Sequence, residues 1–126
     1  MLGNKQPIAS VAVRDLERAR RFYEDKLGLT PRSGEQEPTT ITYQCGGASL
    51  FVYQSENAGT NKATAVTWAA GDDVDQIARA LSAKGVAFEN YDIPDGSKDG
   101  DLYTLGRVRI AWFKDPDGNV HAIVNG

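Results

Sequence analysis

The sequence predicts an α+β protein built from two tandem β-α-β-β-β units. Three observations lead there. A run of β-branched and small residues, then an aspartate, then a helical apolar stripe closed by glycine, occurs twice in the same order. The copies keep one spacing, since 58 positions separate Ile8 from Val66 and Asp15 from Asp73. After each stripe the pattern shifts from helical period to strand-like runs, which is the signature of a repeated strand-helix-strand plan.

Residues 7–13 form the first strand, bounded by Pro7 and by Arg14-Asp15. Asp15 is placed to cap a helix whose apolar positions are Leu16, Ala19, Phe22, Tyr23 and Leu27, and Gly28 stands where a left-handed residue stops it. Residues 29–33, 39–45 and 49–54 complete the unit as strands, the last two joined by a Gly46-Gly47 turn. Residues 55–62 are polar and rich in turn formers, so they link the copies. In the second unit residues 63–70 form a strand, Val74, Ile77, Ala78 and Leu81 the helical stripe, and Gly85 its stop. Residues 86–91 are the next short strand. Residues 92–101 are a longer polar loop, either a mobile flap or a plain surface insertion. Residues 106–114 and 119–125 are the closing strands around Asp115-Pro116-Asp117-Gly118, where proline presets one turn dihedral and glycine accepts a positive one. Turn chemistry accounts for the acidic residues there.

With 126 residues, each half of about 60 would bury only about 60% of its unfolded surface alone, so the halves share one domain. That domain spans 1–126, as a first unit over 7–54, a linker over 55–62 and a second unit over 63–126. The formal charge of −3, with no block of Lys or Arg, excludes a nucleic-acid or anionic-membrane footprint. No apolar run reaches the roughly 18 residues of a membrane span, and the first residues have no signal-peptide core, so a cytoplasmic location is expected. One cysteine, Cys45, makes no internal disulfide, and one histidine, His121, leaves little for a Cys/His metal site.

The run Val11-Ala12-Val13-Arg14-Asp15-Leu16-Glu17-Arg18-Ala19, followed by Phe22-Tyr23 and Leu27-Gly28, and the later Phe113-Lys114-Asp115-Pro116-Asp117-Gly118-Asn119, resemble the vicinal-oxygen-chelate superfamily of glyoxalase I, bleomycin-resistance proteins and extradiol dioxygenases. The resemblance runs from about residue 7 to 124. It implies that the strands curl into a curved mixed sheet with an open cleft, with helices on the outer face. It also implies metal ligands from the first and last strands of each unit, at Ile8, Phe51, Val66 and Ala122. None of these side chains has a lone pair to offer. A one-residue shift reaches Ala9, Val52, Thr67 and His121, and strand alternation turns His121 away from the face of Val120, Ala122 and Val124. The expectation is no metal and no cofactor.

Strand parity assigns Ile8, Ser10 and Ala12, then Ser49, Phe51 and Tyr53, then Val66, Trp68 and Ala70, then Val120, Ala122 and Val124, to the cleft. The facing of Tyr43 and Trp112 is open. The candidate ligand-binding residues are Ser10, Phe51, Tyr53, Trp68, Trp112 and Ala122, a lining suited to a flat or amphipathic small molecule. Phe51 and Trp68 fit a filled core equally well. No carboxylate pair or Ser/His/Asp pattern marks a catalytic residue, and Cys45 reads as a structural thiol. The expected function is metal-independent binding of an aromatic or amphipathic small molecule, in a homodimer implied by the resemblance. Two alternatives stand beside it: a metal-dependent lyase, isomerase or dioxygenase with atypical ligands such as His121, Asp92 or Asp101, and an interaction module whose cleft has closed.

Overall fold

Strand pairing divides the chain between two curved, open sheets. The computed structural model describes residues 1–33, 37–94 and 96–126. In the first sheet β1 (Ala9–Val13), β2 (Thr30–Pro31), β3 (Thr40–Cys45) and β4 (Ala48–Gln54) lie in the order β1-β4-β3-β2. The second holds β5 (Thr64–Ala69), β6 (Ser97–Asp99), β7 (Leu102–Leu105), β8 (Val108–Lys114) and β9 (Val120–Val124), in the order β5-β9-β8-β7-β6. Each sheet pairs its first strand in parallel with its last, β1 with β4 and β5 with β9, and builds outward by antiparallel pairing. The α+β class and the doubled plan expected from the sequence are both present.

Helix α1 (Leu16–Arg20) starts where Asp15 accepts hydrogen bonds from the backbone N–H groups of Glu17 and Arg18. It continues as a π-helix over Arg21–Lys26, closed by the bond from Leu27 N–H to the Phe22 carbonyl. The wider turn lets two consecutive residues, Phe22 and Tyr23, both be buried, which one α-helical stripe does not favour. Gly28 then takes φ +74°, the left-handed stop the sequence predicts. Helix α2 (Val74–Ala83) instead grows out of a 3-10 turn over Gly71–Asp73, and Asp73 makes no side-chain cap bond. Its equivalence to Asp15 is one of sequence position, not of role.

Both helices lie on one side of the sheets. Val11, Val13, Leu50 and Val52 meet Leu16, Ala19 and Phe22 in a core that continues through Ala78, Leu81, Phe113 and Ile123. The Tyr23 ring stacks on Tyr43 of β3 (6.0 Å between centroids, 29°) and lies 5.7 Å from the His121 ring of β9. A single helix therefore covers both sheets, and each large apolar side chain it buries contributes roughly 1.5–3 kcal/mol. Tyr43 belongs to this core.

Three segments differ from expectation. Residues 86–91 are not a strand: Phe88 makes a single bridge to Phe113, with one further bond from Glu89 N–H to the Trp112 carbonyl. Residues 92–101 are not a uniform loop, because Ser97–Asp99 pairs with Leu102–Leu105, itself a strand that was not expected. Asp95, within that loop, lies outside the described residues. The last long strand begins at Val108 rather than 106, since Gly106, at φ +60°, belongs to the tight turn joining β7 to β8.

Candidate ligand-binding face

The helix-free face of the first sheet follows from pairing register. Ser10 stands opposite Phe51 and Ala12 opposite Tyr53 across β1 and β4, while Thr40 and Thr42 of β3 face the same two aromatics. Phe51 and Tyr53 stack 5.7 Å apart at 18° and are half-buried. Ser10, Phe51 and Tyr53 thus share one face, with hydroxyls around an aromatic pair.

On the second sheet the face is set by a β-bulge. Pairing steps from Thr64 opposite Val120 to Val66 opposite His121, so Ala65 is an extra residue and alternation reverses beyond it. Thr67 and Ala69 consequently share the helix-free face with Ala122 and Val124. Val66 and Trp68 turn to the helix side, with His121 and Ile123. The cleft positions expected for Val66 and Trp68 are therefore corrected, and Ala70, beyond the strand end, packs against the core as well. Trp112, whose facing was open, stands opposite Ala122 and joins the helix-free face. There it meets Tyr91 edge-on at 5.1 Å and Tyr103 at 5.7 Å. Tyr91, Ile93, Trp112, Val120 and Lys62 line a cavity of about 350 Å³. Of the six candidate residues, five lie on this face and Trp68 does not. Ile8 precedes β1 and is exposed.

Trp68 instead completes a buried polar network. Its indole N–H donates to His121 Nδ1 at 3.0 Å. Indole is only a donor, so Nδ1 carries no proton and the neutral ring holds its proton on Nε2. That N–H points at the Tyr23 hydroxyl oxygen, 3.0 Å away, and Tyr23 in turn donates to Asp115 Oδ2 at 2.7 Å. Asp115 also accepts from Asn119 Nδ2 and, through Oδ1, from the backbone N–H groups of Asp117 and Asn119. Asn119 Nδ2 reaches the Ala12 carbonyl of β1 as well. The His121 ring stacks on Phe113, at 5.0 Å and 8°, and lies edge to edge with the nearly coplanar Trp68 indole, at 6.2 Å and 12°. Burial lowers the His121 pKa from 6.5 to about 4. Burial first, then the negative charge of Asp115, push the Tyr23 phenol well above its usual range. Every polar group of the His121 and Tyr23 side chains is thus satisfied in a buried setting, and the cluster ties the π-helical end of the first helix to the β8–β9 turn rather than facing a ligand.

The sequence hid this network because its members are 92 and 98 positions apart from Tyr23. The available signal was the pairing of one buried-type histidine with an Asp-x-x-x-Asn turn, whose side chains need partners when covered. The same turn meets both α1 and the linker: Arg18 of α1 pairs with Asp117 at 2.9 Å, and a Cβ on Gly59 of the linker, at φ +76°, would collide with the Asp117 carbonyl.

A divalent metal needs several imidazole, carboxylate or amide ligands in fixed geometry. Phe51 and Ala122 face the cleft without donors, Val66 faces the helices, and the partners across from Phe51 and Ala122 are the hydroxyls Ser10 and Thr67. Among the described residues no group of three or more His, Cys, Asp or Glu is placed to hold an ion. His121, the alternative ligand, has both ring nitrogens engaged. The residues do not fit the group that the fold resemblance implies.

Comparison with known proteins agrees with this architecture. The family model described as Glyoxalase/Bleomycin resistance protein/Dioxygenase superfamily matches residues 6–123. Among solved structures, the antibiotic-binding protein TnmS3 from a Streptomyces species is similar at 24% identity, with 98% of this chain and 96% of that one covered and a TM-score of 0.65. The fosfomycin resistance protein FosX from Listeria monocytogenes aligns at 15% identity over 100% and 93% of the two chains, with a TM-score of 0.68. A glyoxalase/bleomycin resistance protein/dioxygenase from Alicyclobacillus acidocaldarius aligns at 20% identity over 96% and 90%, with a TM-score of 0.69. Comparison with curated protein sequences finds no match. Among the described residues, no helix is long and apolar enough to cross a membrane.

Proposed function

We propose that this chain, which belongs to the Glyoxalase/Bleomycin resistance protein/Dioxygenase superfamily, binds an aromatic or amphipathic small molecule without a metal. The observation that carries the reading is the helix-free face itself. Phe51 stacked on Tyr53, and Trp112 edge-on to the exposed Tyr91, offer rings on the face where Phe51 and Ala122 hold two of the positions that the superfamily plan gives to metal ligands. Rings supply contact area at low entropic cost, and Ser10, Thr40, Thr42 and Thr67 supply the few hydrogen bonds that orient a ligand. The printed description of TnmS3 as antibiotic-binding supports the same class of role. The two units act as one domain, and a second copy of the chain in a homodimer completes the groove over the exposed edge of this face.

Calorimetry in the presence of chelator, against a panel of planar aromatic and amphipathic compounds, tests the reading. Binding at micromolar affinity that weakens at least tenfold in Trp112→Ala or Phe51→Ala, and not in Trp68→Phe, is the expected result. Affinity that appears only after adding a divalent metal would sink it. Sedimentation velocity tests the homodimer independently.

A further inference from the structure

A second hollow lies between the two sheets, apart from the rings of Phe51, Tyr53 and Trp112 but reaching Thr67 and Ala69 at the edge of their face. One cavity of about 270 Å³ is lined by Leu27, Ile77, Leu81, Phe113 and Ile123, between the end of the first helix and α2. A larger, open one of about 610 Å³ is lined by Thr30, Gln44, Cys45, Ser49 and Thr67, at the open end of the first sheet. Leu29, Trp68 and Ala69 line both, so the two form one crevice with a waist at those residues. Its inner end is hydrocarbon and aromatic. Its outer end adds hydroxyl, amide and thiol groups to a wall that is otherwise apolar, with Ala9, Ala48, Leu50 and Val66. Among the described residues, no Lys, Arg, Asp or Glu lines either part.

From that segregation we infer that the crevice is a binding site for a neutral amphiphile, with an unbranched apolar tail in the inner end and an alcohol or amide head at the mouth. Transfer of the tail from water favours binding by roughly 0.8 kcal/mol per buried CH₂, while the hydroxyls and amide of Thr30, Gln44, Ser49 and Thr67 suit a neutral head and the described lining offers a charged one no counter-ion. Trp68 forms part of the wall and also donates to His121, so an occupant touches the edge of the buried network without replacing any of its bonds.

The two tryptophans separate this site from the aromatic face, because Trp112 lies on that face and Trp68 in the crevice wall. In Trp112→Phe, Trp68 is the sole indole emitter. Titration with 1-octanol is expected to shift its emission saturably and to slow modification of Cys45 by a thiol reagent at least fivefold. Octanoate and octylamine are expected to bind at least tenfold more weakly than the alcohol. Ala69→Leu, an exposed position at the waist, should weaken octanol binding at least fivefold while leaving the thermal midpoint near that of the parent. An unsaturable or absent response of Trp68, equal binding of octanoate, or undiminished binding in Ala69→Leu each overturns the assignment. The readouts come from Trp68, Cys45 and Ala69, none of which is assigned a ligand contact on the Trp112 face, so either site can fail alone.

Discussion

The buried histidine makes a quantitative prediction about acid stability. His121 is neutral in the folded chain, with its pKa lowered by burial from 6.5 to about 4. When pH falls below 6.5 the unfolded chain takes up a proton that the folded chain refuses, so the unfolded state is favoured. The stability from this group is complete above 6.5 and is lost progressively as pH falls toward 4. The full window is worth about 3 kcal/mol, at 1.36 kcal/mol per pKa unit, of which about 2 kcal/mol is gone near pH 4.5. Urea unfolding followed by circular dichroism, near pH 7 and near pH 4.5, should be compared between the parent and His121→Gln. The parent's advantage over the variant is expected to shrink by about 2 kcal/mol between the two conditions, a difference in which shared carboxylate titrations cancel. As the only histidine, His121 also gives an unambiguous imidazole proton resonance. A gap that stays constant within about 0.5 kcal/mol, or a resonance that titrates near 6.5 in the folded protein, refutes the reasoning.

Tyr23→Phe removes the hydroxyl that accepts from His121 and donates to Asp115, leaving a buried N–H without a partner, and should cost about 2–3 kcal/mol in urea unfolding. Gly59→Ala meets both a left-handed φ and the Asp117 carbonyl, so it should destabilise by more than about 2 kcal/mol. Gly46→Ala, with open space around it at φ +56°, should cost only about 1 kcal/mol. Asp15→Ala is expected to lower stability by about 1 kcal/mol through loss of two cap bonds, and Asp73→Ala by less than half of that, since Asp73 caps nothing. Thermal or urea melts of the two aspartate variants, measured side by side, check the asymmetry.

Much of the fold was legible because the determining signals are local. Asp15 and Gly28 announce the ends of the first helix by their own chemistry, and Pro116 and Gly118 do the same for the last hairpin. The first sheet's facing was also readable, because β1 and β4 have no irregularity and parity carries from Ser10 to Ala12 and from Phe51 to Tyr53. Phe88 and the β6–β7 hairpin were not readable. The polar β6 pairs only with β7 and has no apolar face to announce it, the four residues of β7 are too few to show a period, and a segment held by one bridge has none.

The misplacement of Trp68 has a more specific cause. Counting back from Asp73 treats the second unit as a copy of the first, yet the 3-10 turn over Gly71–Asp73 and the bulge at Ala65 change the register between them. Side-chain size held the better information. In β1 the residues facing the helices are Val11 and Val13 and those facing away are the small Ser10 and Ala12. The matching pattern in β5 puts the bulky Val66 and Trp68 toward the helices and the small Thr67 and Ala69 away. Small residues on the first strand of each sheet keep the middle of the helix-free face shallow, so the rings of Phe51, Tyr53 and Trp112 stand at its flanks. Had Trp68 pointed that way, its indole would fill the space next to Ala122 and His121 would lose the donor that fixes its tautomer. The one-residue bulge therefore has two effects at once: it leaves the helix-free face shallow and closes the network that joins the sheets.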